Sequence, residues 1–143
     1  MRKELDDLLC QRYPAIFAER ADNESSMGGG FWCRDGWFVL IDTLCERLQY
    51  MTDHRQAPQP VARQVKEKFG KLVFYCHGKS EMQSGMIDMA QAMSAHICEE
   101  CGAPGEVLVD GCTLMARCPT HTPEGAITAA EFQRKMIERK VGR

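Results

Sequence analysis

The sequence lacks any hydrophobic run long enough to cross a bilayer, for which roughly 18 to 20 consecutive apolar residues are needed. Its first thirty residues, MRKELDDLLCQRYPAIFAERADNESSMGGG, carry acids where a secretory signal would carry an apolar segment. No membrane partner is therefore expected, and a cytoplasmic location is. Charge of one sign is lacking too. Eighteen Lys and Arg stand against twenty Asp and Glu, giving a formal net charge of -2 and a pI near 6.1. That balance excludes a histone-like polycation and an acidic disordered tail. No repeat recurs at a fixed period, and there is no long low-complexity tract. At 143 residues there is no room for two full-sized cores, so one domain with a small appended module is expected.

What the sequence holds in excess is cysteine. Eight cysteines in a reducing compartment point to metal binding or catalysis before disulfides. Cys10, Cys33, Cys45 and Cys76 are scattered, whereas Cys98, Cys101, Cys112 and Cys118 fall within 21 residues. Cys98-Glu-Glu-Cys101-Gly102 and Cys118-Pro-Thr-His121 are separated by sixteen residues, giving C-x2-C-x16-C-x2-H, the spacing of a zinc ribbon. Two thiolates three residues apart bind one ion when the backbone between them forms a tight knuckle. Gly102 supplies a permissive dihedral after the first knuckle, and Pro119 stiffens the second. The expectation is one structural Zn2+ per chain held by Cys98, Cys101, Cys118 and His121. Three thiolates and one imidazole leave a net charge of about -1 on the site, which backbone N–H groups and Arg117 could offset. Four protein ligands leave no position for water, which argues against a catalytic zinc. Cys112 is a spare thiol whose spacing fits neither knuckle. A ribbon this small has almost no core, so chelation is expected to unfold residues 98 to 121 first.

Periodicity supplies the rest of the architecture. Lys3 to Arg12 reads as an amphipathic helix stopped by Pro14, and Ala21 to Gly30 as loop. Asp35 is placed to cap a helix burying Trp37, Leu40, Ile41, Leu44 and Leu48. Val61 to Phe69 and Leu72 to Cys76 have strand composition and flank a turn at Gly70. Ser80 and Gln83 have capping-box spacing, and Met82, Met86, Met89, Ala90, Met93 and Ile97 follow as a helical stripe expected in the core. Glu106 to Val109 and Thr113 to Arg117 flank Asp110-Gly111, a hairpin dipeptide. A last helix opens at Thr122-Pro123 or at the Thr128 to Glu131 box. The predicted fold is α+β: helices plus a β-hairpin, a C-terminal zinc ribbon and a terminal helix. Its parts are an N-terminal α+β region (1–97), a ribbon (98–121) and a C-terminal helix (122–143).

Weaker constellations have plainer structural readings. Cys33, Cys45, Cys76, His54 and His77 lack the spacing of a second metal site or a Cys-His nucleophile, and Cys45 and Cys76 read as small core residues. Trp32 and Trp37 lie beside a glycine loop. Both read as core, Trp32 as a staple over Trp37, with Trp32 the better candidate for a binding or base-stacking residue. The methionine stripe reads as core, though a Met-rich face is also an adaptable surface. Arg134, Lys135, Arg139 and Lys140, with Arg143, make the last helix end basic, which suits the macrodipole and also phosphate contact.

Asp35-Gly36-Trp37 with Leu40-Ile41-Asp42 and Leu44-Cys45, then Gln64-Val65-Lys66-Glu67-Lys68-Phe69-Gly70 running into Leu72, Phe74 and Tyr75, then the two metal-type knuckles with Pro104-Gly105, form an ordered set. This set resembles a family of small bacteriophage and prophage proteins of unassigned function. The resemblance covers roughly residues 1 to 121 and leaves out the last helix. Cys112 and Val73 depart from it, standing where that family has Trp and Arg. The resemblance implies a phage gene acting in a bacterial cytoplasm and supplies no catalytic residue. It favours an accessory protein that binds a macromolecule, a class that includes inhibitors of bacterial immunity such as anti-CRISPR proteins. The expected function is thus a non-enzymatic, zinc-stabilised binding protein engaging a host protein or ribonucleoprotein. The alternatives are a nucleic-acid-binding regulator using the ribbon and the basic helix, and a Cys- or zinc-dependent enzyme.

Overall fold

Along the first helix, α1 (Lys3–Arg12), Leu9 is buried while Leu5 and Leu8 are half-buried in the computed structural model, which describes residues 1–22 and 24–141. Asn23 of the expected loop, and Gly142 and Arg143 of the basic tail, lie outside the described residues. Asp35 does not cap the next helix. Its carboxylate accepts the backbone N–H of Arg2 at 2.8 Å, and Asp35–Trp37 makes a single 3-10 turn leading into α2 (Phe38–Arg55). Of the predicted stripe, Trp37, Ile41, Leu44 and Leu48 are buried, with Cys45 beside them, whereas Leu40 is only half-buried. Burying each such large apolar side chain stabilises the fold by about 1.5–3 kcal/mol.

β1 (Val61–Lys68) and β2 (Lys71–His77) pair antiparallel around Phe69 and Gly70, whose φ angles of 55° and 76° are both positive, as a two-residue hairpin turn requires. Neither edge of this hairpin is left bare. Along β1, the Trp32 N–H donates to the Val65 carbonyl at 2.9 Å, and Trp32's own carbonyl accepts from Glu67 at 2.8 Å. Along β2, the edge N–H groups of Leu72 and Phe74 donate to Ser94 Oγ (2.8 Å) and Gln91 Oε1 (2.9 Å) on α3 (Glu81–Ser94).

α3 opens with the predicted capping box, Ser80 and Gln83 each bonding the other's backbone N–H. The core expectation is overturned for Met82, Met89 and Met93, while Ala90 is buried and Met86 and Ile97 are half-buried against the core. The buried stripe is Gln83, Ile87, Ala90 and Ser94, whereas Met82 and Met89 are each 62% exposed and Met93 is 47% exposed. The helix is rotated by about one residue, or 100°, from the expected phase, because Gln83 and Ser94 have backbone partners waiting inside and the methionines have none.

β3 (Glu106–Asp110) and β4 (Thr113–Arg117) form the second hairpin, turning at Gly111-Cys112, one residue later than Asp110-Gly111 predicts. A short strand absent from the sequence reading, β5 (Ile127–Thr128), adds to β3, so the sheet order is β4-β3-β5. The last helix, α4 (Ala129–Val141), starts at the Thr128–Glu131 box, with Thr128 donating its N–H to Glu131 Oε2 at 2.9 Å. The earlier start at Thr122-Pro123 is not used, and the chain from 122 to 126 instead leads into β5.

The ribbon is docked on the N-terminal region at two glycines. At Gly36 an added Cβ would stand 2.6 Å from the Glu99 carbonyl oxygen and from the Gly102 nitrogen, and nearer still to the Cys98 carbonyl. At Gly70 it would stand 2.8 Å from Val107 Cγ1. Trp37 Nε1 donates to the Ile97 carbonyl at 2.9 Å, so the α2 core residue also fixes the chain entering the first knuckle.

Candidate metal centre

The first knuckle is folded by its own backbone. The Gly102 N–H donates to the Cys98 carbonyl and the Cys98 N–H to the Ala103 carbonyl, both at 2.8 Å, with Gly102 at the left-handed φ of 78° that its position demands. The second follows β4, where Pro119–His121 makes a 3-10 turn and the His121 N–H donates to the Cys118 carbonyl at 3.0 Å. β3 and β4 bring the two knuckles together, as the spacing predicts.

The donor atoms of Cys98, Cys101, Cys118 and His121 all lie within 4.8 Å of one another. Cys101 Sγ and Cys118 Sγ are 3.7 Å apart, and His121 Nδ1 is 3.7 Å from Cys98 Sγ and 3.2 Å from Cys118 Sγ. Tetrahedral zinc with S and N ligands at their usual bond lengths needs S–S edges of about 3.8 Å and S–N edges of about 3.6 Å. The cluster can therefore hold a metal ion, and its size is consistent with zinc. Cys98 and Cys118 are buried; Cys101 and His121 face solvent. Among the described residues it is the one such cluster, and Cys112, exposed at the β3–β4 turn, is not part of it.

Arg117 is buried beside the site but is committed elsewhere. Its guanidinium pairs with Glu99 and Glu100 of the first knuckle, both at 3.2 Å, while Glu100 also meets Arg34 at 3.1 Å. Glu99 Oε1 accepts the Arg34 N–H at 3.1 Å. This network neutralises the knuckle's own carboxylates and fastens it to the turn before α2. Arg117 is thus spent on Glu99 and Glu100, residues to which the spacing assigns no role, and not on the charge of the metal site as the sequence suggests.

The other thiols are set apart from any such chemistry. Burial pushes the Cys33 thiol up to about 12 and the fully buried Cys45 thiol well above its ordinary value of 9.0, and it raises Cys76 as well. Cys76 and His77 are neighbours on β2, with Cys76 half-buried and His77 exposed beside Glu19.

Of the candidate binding residues, Trp32 is not a core staple over Trp37: its ring is 64% exposed, whereas Trp37 is fully buried. The difference is strand alternation, since Phe31 and Cys33 take the inward positions on either side of Trp32. Arg134, Lys135, Arg139 and Lys140 are all exposed on α4. Sequence reasoning missed a groove of about 1140 Å³ between α2 and α3, lined by Val39, Leu40, Met82, Met86, Met89 and Met93 and ended by Gly36, Glu100, Cys101 and Gly102 of the docked knuckle. The sequence carries no signal for it, because Gln83 and Ser94 are buried by partners on other elements and that burial is what turns the methionines outward. No helix among the described residues is long and apolar enough to cross a membrane. Compared with protein-family models, curated proteins and solved structures, the chain has no match in any of the three.

Proposed function

We propose that this chain is a non-enzymatic, zinc-stabilised binding protein of phage origin that engages a host protein or ribonucleoprotein in the bacterial cytoplasm. The observation that carries the reading is the methionine groove: an exposed apolar surface, one end of which is made by the metal knuckle itself. Such a groove suits the apolar face of an amphipathic helix of the host partner, and methionines adapt to its side chains. Zinc is the metal that the three thiolates, one imidazole and their spacing favour, and its role here is to hold the wall of the groove in place. The phage origin rests on the family resemblance of the motif order, which also makes inhibition of bacterial immunity the favoured form of the activity.

Two features support a non-enzymatic role. The donor set already has four protein ligands, which leaves no position for a metal-bound water. Buried thiols with raised pKa hold little thiolate at neutral pH and are poor nucleophiles. The experiment is affinity purification of the tagged chain from a bacterial lysate, with and without nuclease, with bound metal quantified on the same sample. A stoichiometric protein partner that survives nuclease and is lost with Met89→Glu or on chelation is the expected result. Retention of the partner after zinc removal would make the metal irrelevant to binding and overturn the reading.

A further inference from the structure

We propose that the outward face of the β1–β2 hairpin is a platform for single-stranded nucleic acid, a surface separate from both the groove and the basic α4 helix. Val65, Leu72 and Phe74 point into the core, so alternation sends Gln64, Lys66 and Lys68 of β1 and Lys71, Val73 and Tyr75 of β2 to the opposite face. The register sets Lys66 against Val73, Gln64 against Tyr75 and Lys68 against Lys71. Trp32 widens this face: it bridges Lys66 in parallel and contributes its exposed indole. Tyr75 is 51% exposed, and Lys66 Nζ lies 5.9 Å from the centroid of its ring, placing cation and aromatic side by side.

The charge on this face is unbalanced. Among the described residues no carboxylate is in ion-pair distance of Lys66, Lys68 or Lys71. Glu67, the one acid in the two strands, accepts the Gly70 N–H at 2.6 Å. Glu19, which reaches the His77 end, is already paired with Arg63 at 2.9 Å and His77 at 3.3 Å. A chain of net charge -2 thus carries an uncompensated cationic strip, which selects a polyanion. Two exposed rings on that strip select one whose bases are free to stack. Bases in a duplex are already stacked on each other, so the fit is to single strands. The indole is also backed: a Cβ on Gly29 would come 3.0 Å from Trp32 Nε1, so the ring rests against bare backbone and leaves its remaining surface free.

The test is fluorescence anisotropy of labelled twelve-nucleotide oligouridylate and oligothymidylate with the full-length, metal-loaded chain, which requires no protein partner. Saturable binding is expected, with a log–log salt slope of about -2 for three lysines on a single strand. Trp32→Ala should weaken it about tenfold and Trp32→Phe should restore most of the loss. Neutralising Arg134, Lys135, Arg139 and Lys140 to Gln, or changing Met89→Glu, should leave affinity within about twofold, because neither surface is used. Three results would overturn the proposal: no saturable binding of either oligonucleotide at about 50 mM salt, full affinity in Trp32→Ala, or loss confined to the α4 variant. None of them bears on the groove, whose test is capture of a nuclease-resistant protein partner.

Discussion

Gln83 is buried because it is a neutral amide. Its Oε1 accepts the Ser80 N–H at 2.9 Å, while its Nε2 donates toward the Pro58 carbonyl (3.1 Å), the Leu48 carbonyl (3.3 Å) and Thr52 Oγ1 (3.3 Å). A glutamate would cap the helix equally well in isolation, and the sequence gives no reason to prefer one over the other. In the folded chain it would bury a carboxylate facing three acceptors with nothing to donate. Gln83→Glu should therefore cost about 3 kcal/mol, read as a lowered urea midpoint at neutral pH, with part of the loss recovered at low pH as the carboxyl takes up a proton. The capping role was legible from Ser80 and Gln83 alone. The burial was not, because the residues that surround Nε2 come from α2 and the segment after it.

At the scale of elements, the join between ribbon and N-terminal region depends on backbone approaching backbone. The Gly36 N–H donates to the Glu99 carbonyl at 2.8 Å, and no side chain fits between the turn before α2 and the knuckle. Gly36→Ala should cost about 3 kcal/mol by forcing the two apart. It should also weaken metal affinity, measured by competition with a chromophoric chelator, since the first knuckle loses its support. Unchanged affinity would mean that the knuckle folds without its dock. Gly85, with no atom near its missing side chain, is the matched control. Asp35-Gly36-Trp37 stands out in the sequence as a helix start, and its second task as a docking surface is invisible there. The same holds for Gly70, where the hairpin turn was predictable and its contact with Val107 was not.

For the whole molecule, the metal is expected to contribute much of the ribbon's folding free energy, since structural zinc sites in small modules are worth on the order of 10 kcal/mol or more at pH 7. Removing it with a strong chelator should first abolish hydrogen-exchange protection across β3, β4 and β5. Because Trp37 and the Arg34–Glu99 contact tie the knuckle to α2, protection should next fall at residues 34 to 38, and last in α1 and the β1–β2 hairpin. Full protection at 34 to 38 in the metal-free chain would show that the two regions fold independently.

Local rules were enough for much of this protein. Two knuckles of fixed spacing announce a metal cluster whatever surrounds them, because the ligands act through geometry only three residues long. Helix and strand existence followed equally from period and caps, as in α2 and the β1–β2 hairpin. The face that α2 buries followed from its period too, but the face that α3 buries and the exposure of Trp32 were decided by tertiary structure. The methionines of α3 satisfy helical spacing as well as Ile87 does, and the choice fell to two polar residues whose partners lie on β2 and α2. Trp32 and Trp37 are equally apolar, yet a strand position turned one to solvent and a helix position sealed the other. Burial is a property of what packs opposite, and the sequence of one segment does not contain its neighbour.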